Sequence, residues 1–300
     1  MTLALLGLYL AVTGVLLPRR LAGSPRLQAR LQTRPALGAA LWLALMVSFT
    51  VALVLAAHHA VEPAAHEPAG LIGLLPHLEP TGPVLPHTHG RWLPVAAGAL
   101  LAVLTAVGIR AGRARRRHRA MLDVVAVRER RWGALVLEHA HPTVYCLPGR
   151  RSRVVLSRGA LRLLDERQLA AAVAHEHGHI RGRHHLFRLP ADTFALLLGP
   201  LPLARLGRSE VALLLEMAAD DAALTQVSRT ELASALCALA TSGATPGATL
   251  GVASTGVLAR VHRLARPGGG RRSRPAGRLG VLTLSALPLL PYLLACAPHP

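Results

Sequence analysis

Asp165-Glu166-Arg167-Gln168-Leu169-Ala170-Ala171-Ala172-Val173-Ala174-His175-Glu176-His177-Gly178-His179-Ile180 is the stretch from which the rest of the chain can be placed. It spells HExxH, with His175 and His179 four residues apart. On an α-helix, positions i and i+4 lie on one face. Two imidazoles so placed can hold one zinc ion, and Glu176 between them is set to act as a base on water at that ion. Local signals favour the helix. Asp165 is a good N-cap, Gln168 completes a capping-box pattern, the body is rich in alanine, and Gly182 offers a stop. The chain holds 16 His and 10 Glu in 300 residues. Random placement gives about 0.03 matches to the motif. The plain alternative is an alanine-rich helix with solvated histidines, and the third-ligand candidate described below weighs against it.

The composition is unlike that of an ordinary soluble enzyme. Apolar residues make up 52% of the chain and charged residues 16%, yet the net charge is +19. A chain both apolar and basic points to membrane spans joined by arginine-rich loops. Lysine and asparagine are absent. Cys146, Cys237 and Cys296 are too few and too scattered for a disulfide framework, and they read as free thiols. Cys146 could serve as a soft metal ligand, but the helix supplies a better site.

Outward from the motif, four apolar segments read as transmembrane helices: 3–17, 36–57, 93–109 and 279–297. No basic leader or cleavage pattern precedes the first, so it reads as a span and not as a signal peptide. Pro18 to Pro35 is expected to be a polar loop with five arginines. The outer loop 58–92 holds six histidines, His58, His59, His66, His77, His87 and His89. A metal- or pH-sensing role is conceivable there, though a solvated loop is the simpler reading. If the first loop and the 110–278 segment face the cytoplasm, they carry 33 of the 34 arginines. That orientation follows the positive-inside rule and puts both termini outside. Arginine runs at 113–119 and 271–278 adjoin spans, so anionic lipids are expected partners and direct nucleic-acid binding is not.

In the cytosolic segment, Ala134–Leu137, Thr143–Leu147 and Arg153–Ser157 read as short strands, the last two forming a hairpin. An edge strand beside the zinc helix could hold an extended peptide. Leu189–Leu206 is apolar but broken by prolines and charges. A single crossing there would separate the later residues from His175 and His179, so it reads as a re-entrant or interfacial hairpin, or an apolar lip. A second helix, Ser209–Gln226, supplies the third ligand. Glu216 stands on an apolar stretch, where a carboxylate is costly unless paired or metal-bound. Asp220, four residues on, shares its face and can fix the tautomer of a zinc-bound histidine. His262, Arg260 and Arg263 are candidates for an additional donor at the reacting carbonyl. His139, His141, His177, His184 and His185 read as surface or secondary residues.

HExxH followed by Glu216-x-x-Ala219-Asp220 resembles the gluzincin peptidases of the HtpX and CAAX-prenyl-protease type. The order of spans, together with Tyr145-Cys146-Leu147-Pro148-Gly149 and Val154-Val155-Leu156-Ser157-Arg158-Gly159-Ala160-Leu161, is similar to the BlaR/MecR-type membrane metallopeptidases. The specific motifs cover about residues 140–225. The resemblance implies one zinc ion per chain, held by His175, His179 and Glu216, with Glu176 as catalytic base and Asp220 behind the ligands. It also implies a cytoplasmic repressor as protein substrate, while no extracellular penicillin-binding sensor is expected in this chain.

The expected architecture is therefore mostly α with a small β element (α+β). Residues 1–109 form a membrane region with three spans, 110–278 a cytosolic zincin-like metallopeptidase domain, and 279–300 a fourth span with a short outer tail. The expected function is a zinc-dependent endopeptidase in the cell membrane, multi-pass, with its active site on the cytoplasmic side. An HtpX-type quality-control protease and a non-catalytic metal-sensing module are the alternatives.

Overall fold

The computed structural model describes residues 2–61, 92–149, 152–242, 252–266 and 286–295. Most of the expected outer loop and half of the expected fourth span lie outside the described residues. The described chain is mostly helical, with one four-stranded sheet.

The N-terminal helices run further than their apolar lettering. α1 (Thr2–Ala11) passes through a π turn (Val12–Leu16) into α2 (Leu17–Gly23). Pro18 has no N–H, and in a regular α-helix its ring would crowd the carbonyl four residues back. The wider π turn, closed by the Leu17 N–H donating to the Val12 carbonyl, makes room for it. α3 (Pro25–Thr33) and α4 (Pro35–Val61) follow. The expected polar loop 18–35 is thus largely helical: Pro25 and Pro35 open helices, because a missing N–H costs nothing in a first turn. Two helices among the described residues are long and apolar enough to cross a membrane, Thr2–Gly23 and Pro35–Ala60. They pack against each other through Leu6, Ala52 and Leu55, and Tyr9 shares a 2.6 Å hydrogen bond with Ser48.

α5 (Trp92–Val125) is 34 residues of unbroken helix. The expected boundary at 109/110 therefore falls inside one rod about 51 Å long. Arginine is a good helix former, so the basic run Arg113–Arg119 extends the apolar segment instead of ending it.

The sheet holds one strand that the sequence pattern does not reveal. β1 (Ala126–Glu129) pairs antiparallel with β2 (Ala134–Leu137), and β2 lies parallel to β4 (Arg153–Ser157). β3 (Val144–Leu147) pairs antiparallel with β4, in the expected hairpin. The order β1-β2-β4-β3 leaves β3 on an edge, beside the helix that carries HExxH. Val154 and Leu156 on β4 bury one face of the sheet against Leu169, Ala172 and Val173 of that helix.

α6 (Arg158–Leu163) leads to α7 (Glu166–Arg181), which bears the motif. The Asp165 carboxylate accepts from the Gln168 backbone N–H at 2.9 Å, and the Gln168 side chain accepts from the Asp165 N–H at 3.0 Å. α8 (His184–Leu198) and α9 (Pro202–Ala223) form an antiparallel hairpin across the Leu189–Leu206 segment. α9 starts seven residues before the expected Ser209, because Pro202 can open a helix and nothing after it stops one. The hairpin packs on α4. Trp42, Leu45, Met46 and Phe49 share one core with Phe194, Leu203, Val211 and Leu214. α10 (Arg229–Ser242), α11 (Val252–Ala265) and the short α12 (Leu290–Ala295) complete the described chain.

Replacing Asp165 with Ala removes the reciprocal cap of α7. It is expected to cost about 1 kcal/mol, read as a fall of about 2–4 °C in the thermal midpoint. An unchanged midpoint in detergent-solubilised protein would show that the cap contributes nothing.

Candidate active site

The site exists because α7 and α9 cross with almost no side chain between them. A Cβ at Gly178 would stand 2.9 Å from the Ala219 carbonyl oxygen and 3.1 Å from its Cα. Glycine on one helix and alanine on the other let the two backbones touch. His175 and His179 flank Gly178 on its face of α7, and Glu216 and Asp220 flank Ala219 on α9. Their side chains meet at the crossing.

His175 Nε2 and His179 Nε2 lie 3.1 Å apart. Glu216 Oε2 is 3.3 Å from His175 Nε2, and its Oε1 is 3.4 Å from His179 Nε2. Four-coordinate zinc with bonds of about 2.0–2.1 Å places neighbouring donors about 3.3–3.4 Å apart. The three donors fit that ion in number, type and spacing.

Each imidazole is held from behind. Asp220, fully buried, puts Oδ1 3.0 Å from His175 Nδ1. His184 puts Nδ1 2.9 Å from His179 Nδ1. Both histidines are thereby oriented through Nδ1, leaving Nε2 turned to the shared point. On sequence grounds His184 groups with the surface residues; the structure gives it a place at the site. The turn after α7 explains how. Gly182 ends the helix, Arg183 takes a left-handed conformation (φ 49°), and the chain folds His184 back under His179. A Cβ at 182 would collide with the His184 ring. The signal in the sequence is therefore Gly182 two residues before a histidine, which by pattern alone reads only as a helix stop.

The carboxylates are matched by buried arginines from α11. The Arg260 guanidinium forks onto Asp220, with Nε 2.8 Å from Oδ2 and Nη2 2.7 Å from Oδ1. Its Nη1 donates to Glu216 Oε2 at 3.0 Å. Of the three extra-donor candidates, only Arg260 reaches the cluster. Arg263 is bound to Asp221 at 2.8 Å and to the Gln32 carbonyl at 3.0 Å, and His262 is exposed.

The electrostatics follow from this packing. Burial disfavours a charged His175, but hydrogen bonds to Asp220 and Glu216 outweigh it and raise the group to about 9 without metal. Burial would raise Glu216, yet His175, His179 and Arg260 hold it well below the usual carboxylate range. Burial and the neighbouring His179 push His184 down to about 4, so it stays neutral at pH 7. Burial and the Glu176 carboxylate push the Cys146 thiol up to about 12. A protonated thiol is a poor metal ligand, and Cys146 is not among the converging donors.

Glu176 lines the adjoining cleft. A cavity of about 290 Å³ opens there between β3 and α10, walled by Val144, Leu232, Leu236 and Leu239, with His175 and Glu216 on its floor.

Residues 109–235 match the family model of Peptidase family M48. The matched segment, under half of the chain, runs from within α5 into α10 and contains His175, Glu176, His179, His184, Glu216 and Asp220 but none of α11. A segment of this kind marks a metallopeptidase domain, a hydrolase of peptide bonds. No curated protein and no solved structure matches the chain.

Two outcomes are expected. Zinc needs a neutral His175, so metal uptake at pH 7 is expected to release about one proton from this residue. The apparent affinity then climbs with pH until about 9. The folded value lies above the ordinary 6.5. The metal-free fold thus gains fully from this proton below about pH 6.5 and loses the gain as pH rises through the folded value. Calorimetry in buffers of different ionisation enthalpy reads the proton count. Secondly, His184→Ala is expected to weaken zinc binding about 10–100-fold, and His184→Asn to recover part of it. Competition with a fluorescent chelator measures both.

Proposed function

We propose that the protein is a zinc-dependent endopeptidase of the membrane, with its site on the side where the arginine-rich segments lie. The observation that carries this reading is the meeting of His175 Nε2, His179 Nε2 and a Glu216 oxygen within 3.4 Å, beside Glu176. The Peptidase family M48 match over 109–235 supports it. His175, His179 and Glu216 are the metal ligands. Bound there, zinc would lower the pKa of water to about 7 and polarise the scissile carbonyl.

The chain's own residues do the rest. Glu176 takes the proton of the attacking water and passes it to the leaving amine. Asp220 and His184 hold the two ligand rings in the tautomer that presents Nε2. Arg260 keeps Asp220 and Glu216 ionised and in place, acting through them. The outer edge of β3, the last strand of the sheet, offers backbone groups to an extended substrate chain, and the apolar cleft beside Glu176 accepts an apolar side chain next to the cut.

The membrane reading rests on the two apolar helices Thr2–Gly23 and Pro35–Ala60 and on the arginine asymmetry. Four spans, a cytoplasmic site and outward termini complete the proposed topology. A BlaR/MecR-type repressor and an HtpX-type membrane client are the two substrate kinds within this class.

Glu176→Gln is expected to retain zinc and lose cleavage by about 10²–10⁴-fold. Metal content and turnover of a fluorogenic peptide are measured on the same sample. A variant as active as the parent would remove Glu176 from the role of base.

A further inference from the structure

Depth along α4 can be read from its neighbours. α9 runs antiparallel to it: Leu214 meets Gly38, Gly207 lies on Trp42 and Met46, and Leu203 shares a cluster with Phe49. α8 returns alongside, with the Phe194 ring 6.0 Å from Phe49. The first helix runs antiparallel too, Leu6 against Leu55, Gly14 on Phe49, and Leu21 in the Trp42 cluster. At about 1.5 Å per residue, Arg19, Arg20, Arg188, Arg205 and Arg208 fall within a slab roughly 10 Å deep. That slab is level with residues 40–47 of α4.

Above the slab the chemistry changes. α1 and α4 carry no Arg, Asp or Glu there. The tip of the α8–α9 hairpin also rises above it, with Leu196 76% and Leu197 51% exposed. Within the slab, Arg188, Arg205 and Arg208 line a groove of about 880 Å³ that ends at Glu216 and Arg260. Arg188 and Arg208 share Asp192, while Arg205 has no carboxylate partner among the described residues.

We infer that the α8–α9 hairpin is seated in the leaflet on the zinc side, its leucine tip among acyl chains and its arginines at the lipid phosphates. Exposed leucines continuous with two spanning helices are satisfied by hydrocarbon, and arginines at one depth below them by anionic head groups. Glu216 is then level with about residue 36 of α4, roughly 10 Å beneath the Arg20 level. The site stands at the membrane surface. Resting on the peptidase and membrane readings above, the substrate is therefore a membrane-anchored protein, cut within about five extended residues of the bilayer surface.

The full chain is placed in vesicles of phosphatidylcholine and phosphatidylglycerol whose acyl chains carry bromine at mid-depth. Leu196→Trp and, as a control on the distant sheet, Val127→Trp are compared after subtracting the parent emission. Bromolipid is expected to quench the added emission of the Leu196→Trp variant at least about twofold and to spare that of the Val127→Trp control. Equal, weak quenching of both overturns the seating of the hairpin, and it does so whether or not the protein cleaves anything. The second readout is a transmembrane anchor with an unstructured tail of about 30 residues bearing leucine at every third position. Cleavage close to the anchor, absent with Glu176→Gln, supports the substrate class. Cleavage only beyond about ten residues, or equal cleavage of the tail without its anchor, overturns it. Cleavage unaffected by Glu176→Gln would instead remove the proposed chemistry and leave the quenching result standing.

Discussion

The contact between Gly178 and Ala219 is the constraint on which the site depends. Helix axes normally stand about 8–10 Å apart, held off by the side chains between them. Here the backbones touch, so His175, His179 and Glu216 reach one point, with Asp220 behind His175, without needing length or flexibility. A methyl group at 178 would press on the Ala219 carbonyl and separate the donors. Donor spacing at a tetrahedral ion tolerates only a few tenths of an ångström, so the smallness of these two residues matters as much as the identity of the three converging side chains.

That crossing gathers charge, and the charge must be compensated. Asp220 and Asp221 are buried side by side on α9. Uncompensated buried carboxylates would be strongly destabilising. α11 answers with Arg260 and Arg263, three residues apart and so on one face, each buried against one aspartate. Arg263 also donates to Gln32, in the helix that precedes α4. Site and apolar helices are thus tied twice, once through this arginine and once through the Trp42 core. The ion-pair contacts give α11 its register on α9; the Trp42 core gives the hairpin its depth along α4.

Some of this is legible in the lettering and some is not, for identifiable reasons. The HExxH helix, its cap and its stop lie within 18 consecutive residues, from Asp165 to Gly182, so local rules reach them. Glu216 stands out because a lone carboxylate on an apolar helical face is conspicuous, and the β3–β4 hairpin because its turn is short. β1 escapes the pattern because four residues with one partly buried position carry no alternation to read. The segment after the first apolar helix is helical where a polar loop is expected, because prolines at 25 and 35 open helices as readily as they end them. α5 runs past its expected boundary because arginine costs a helix little. His184 is hidden because its partner lies around a left-handed turn, which no periodicity encodes.

The sequence by itself determined the donor types, the helix that presents two of them, the apolar runs and arginine excess that mark membrane-length helices, and the pairing of Glu216 with Asp220 on one face. Each is a matter of spacing within one element, where side-chain direction follows from backbone period. Only the tertiary structure decided that Arg260 and not His262 reaches the cluster, that His184 supports His179, and that the α8–α9 hairpin climbs along α4. Those depend on which faces of separate helices meet. That is fixed by packing between residues far apart in the chain, about which local pattern is silent.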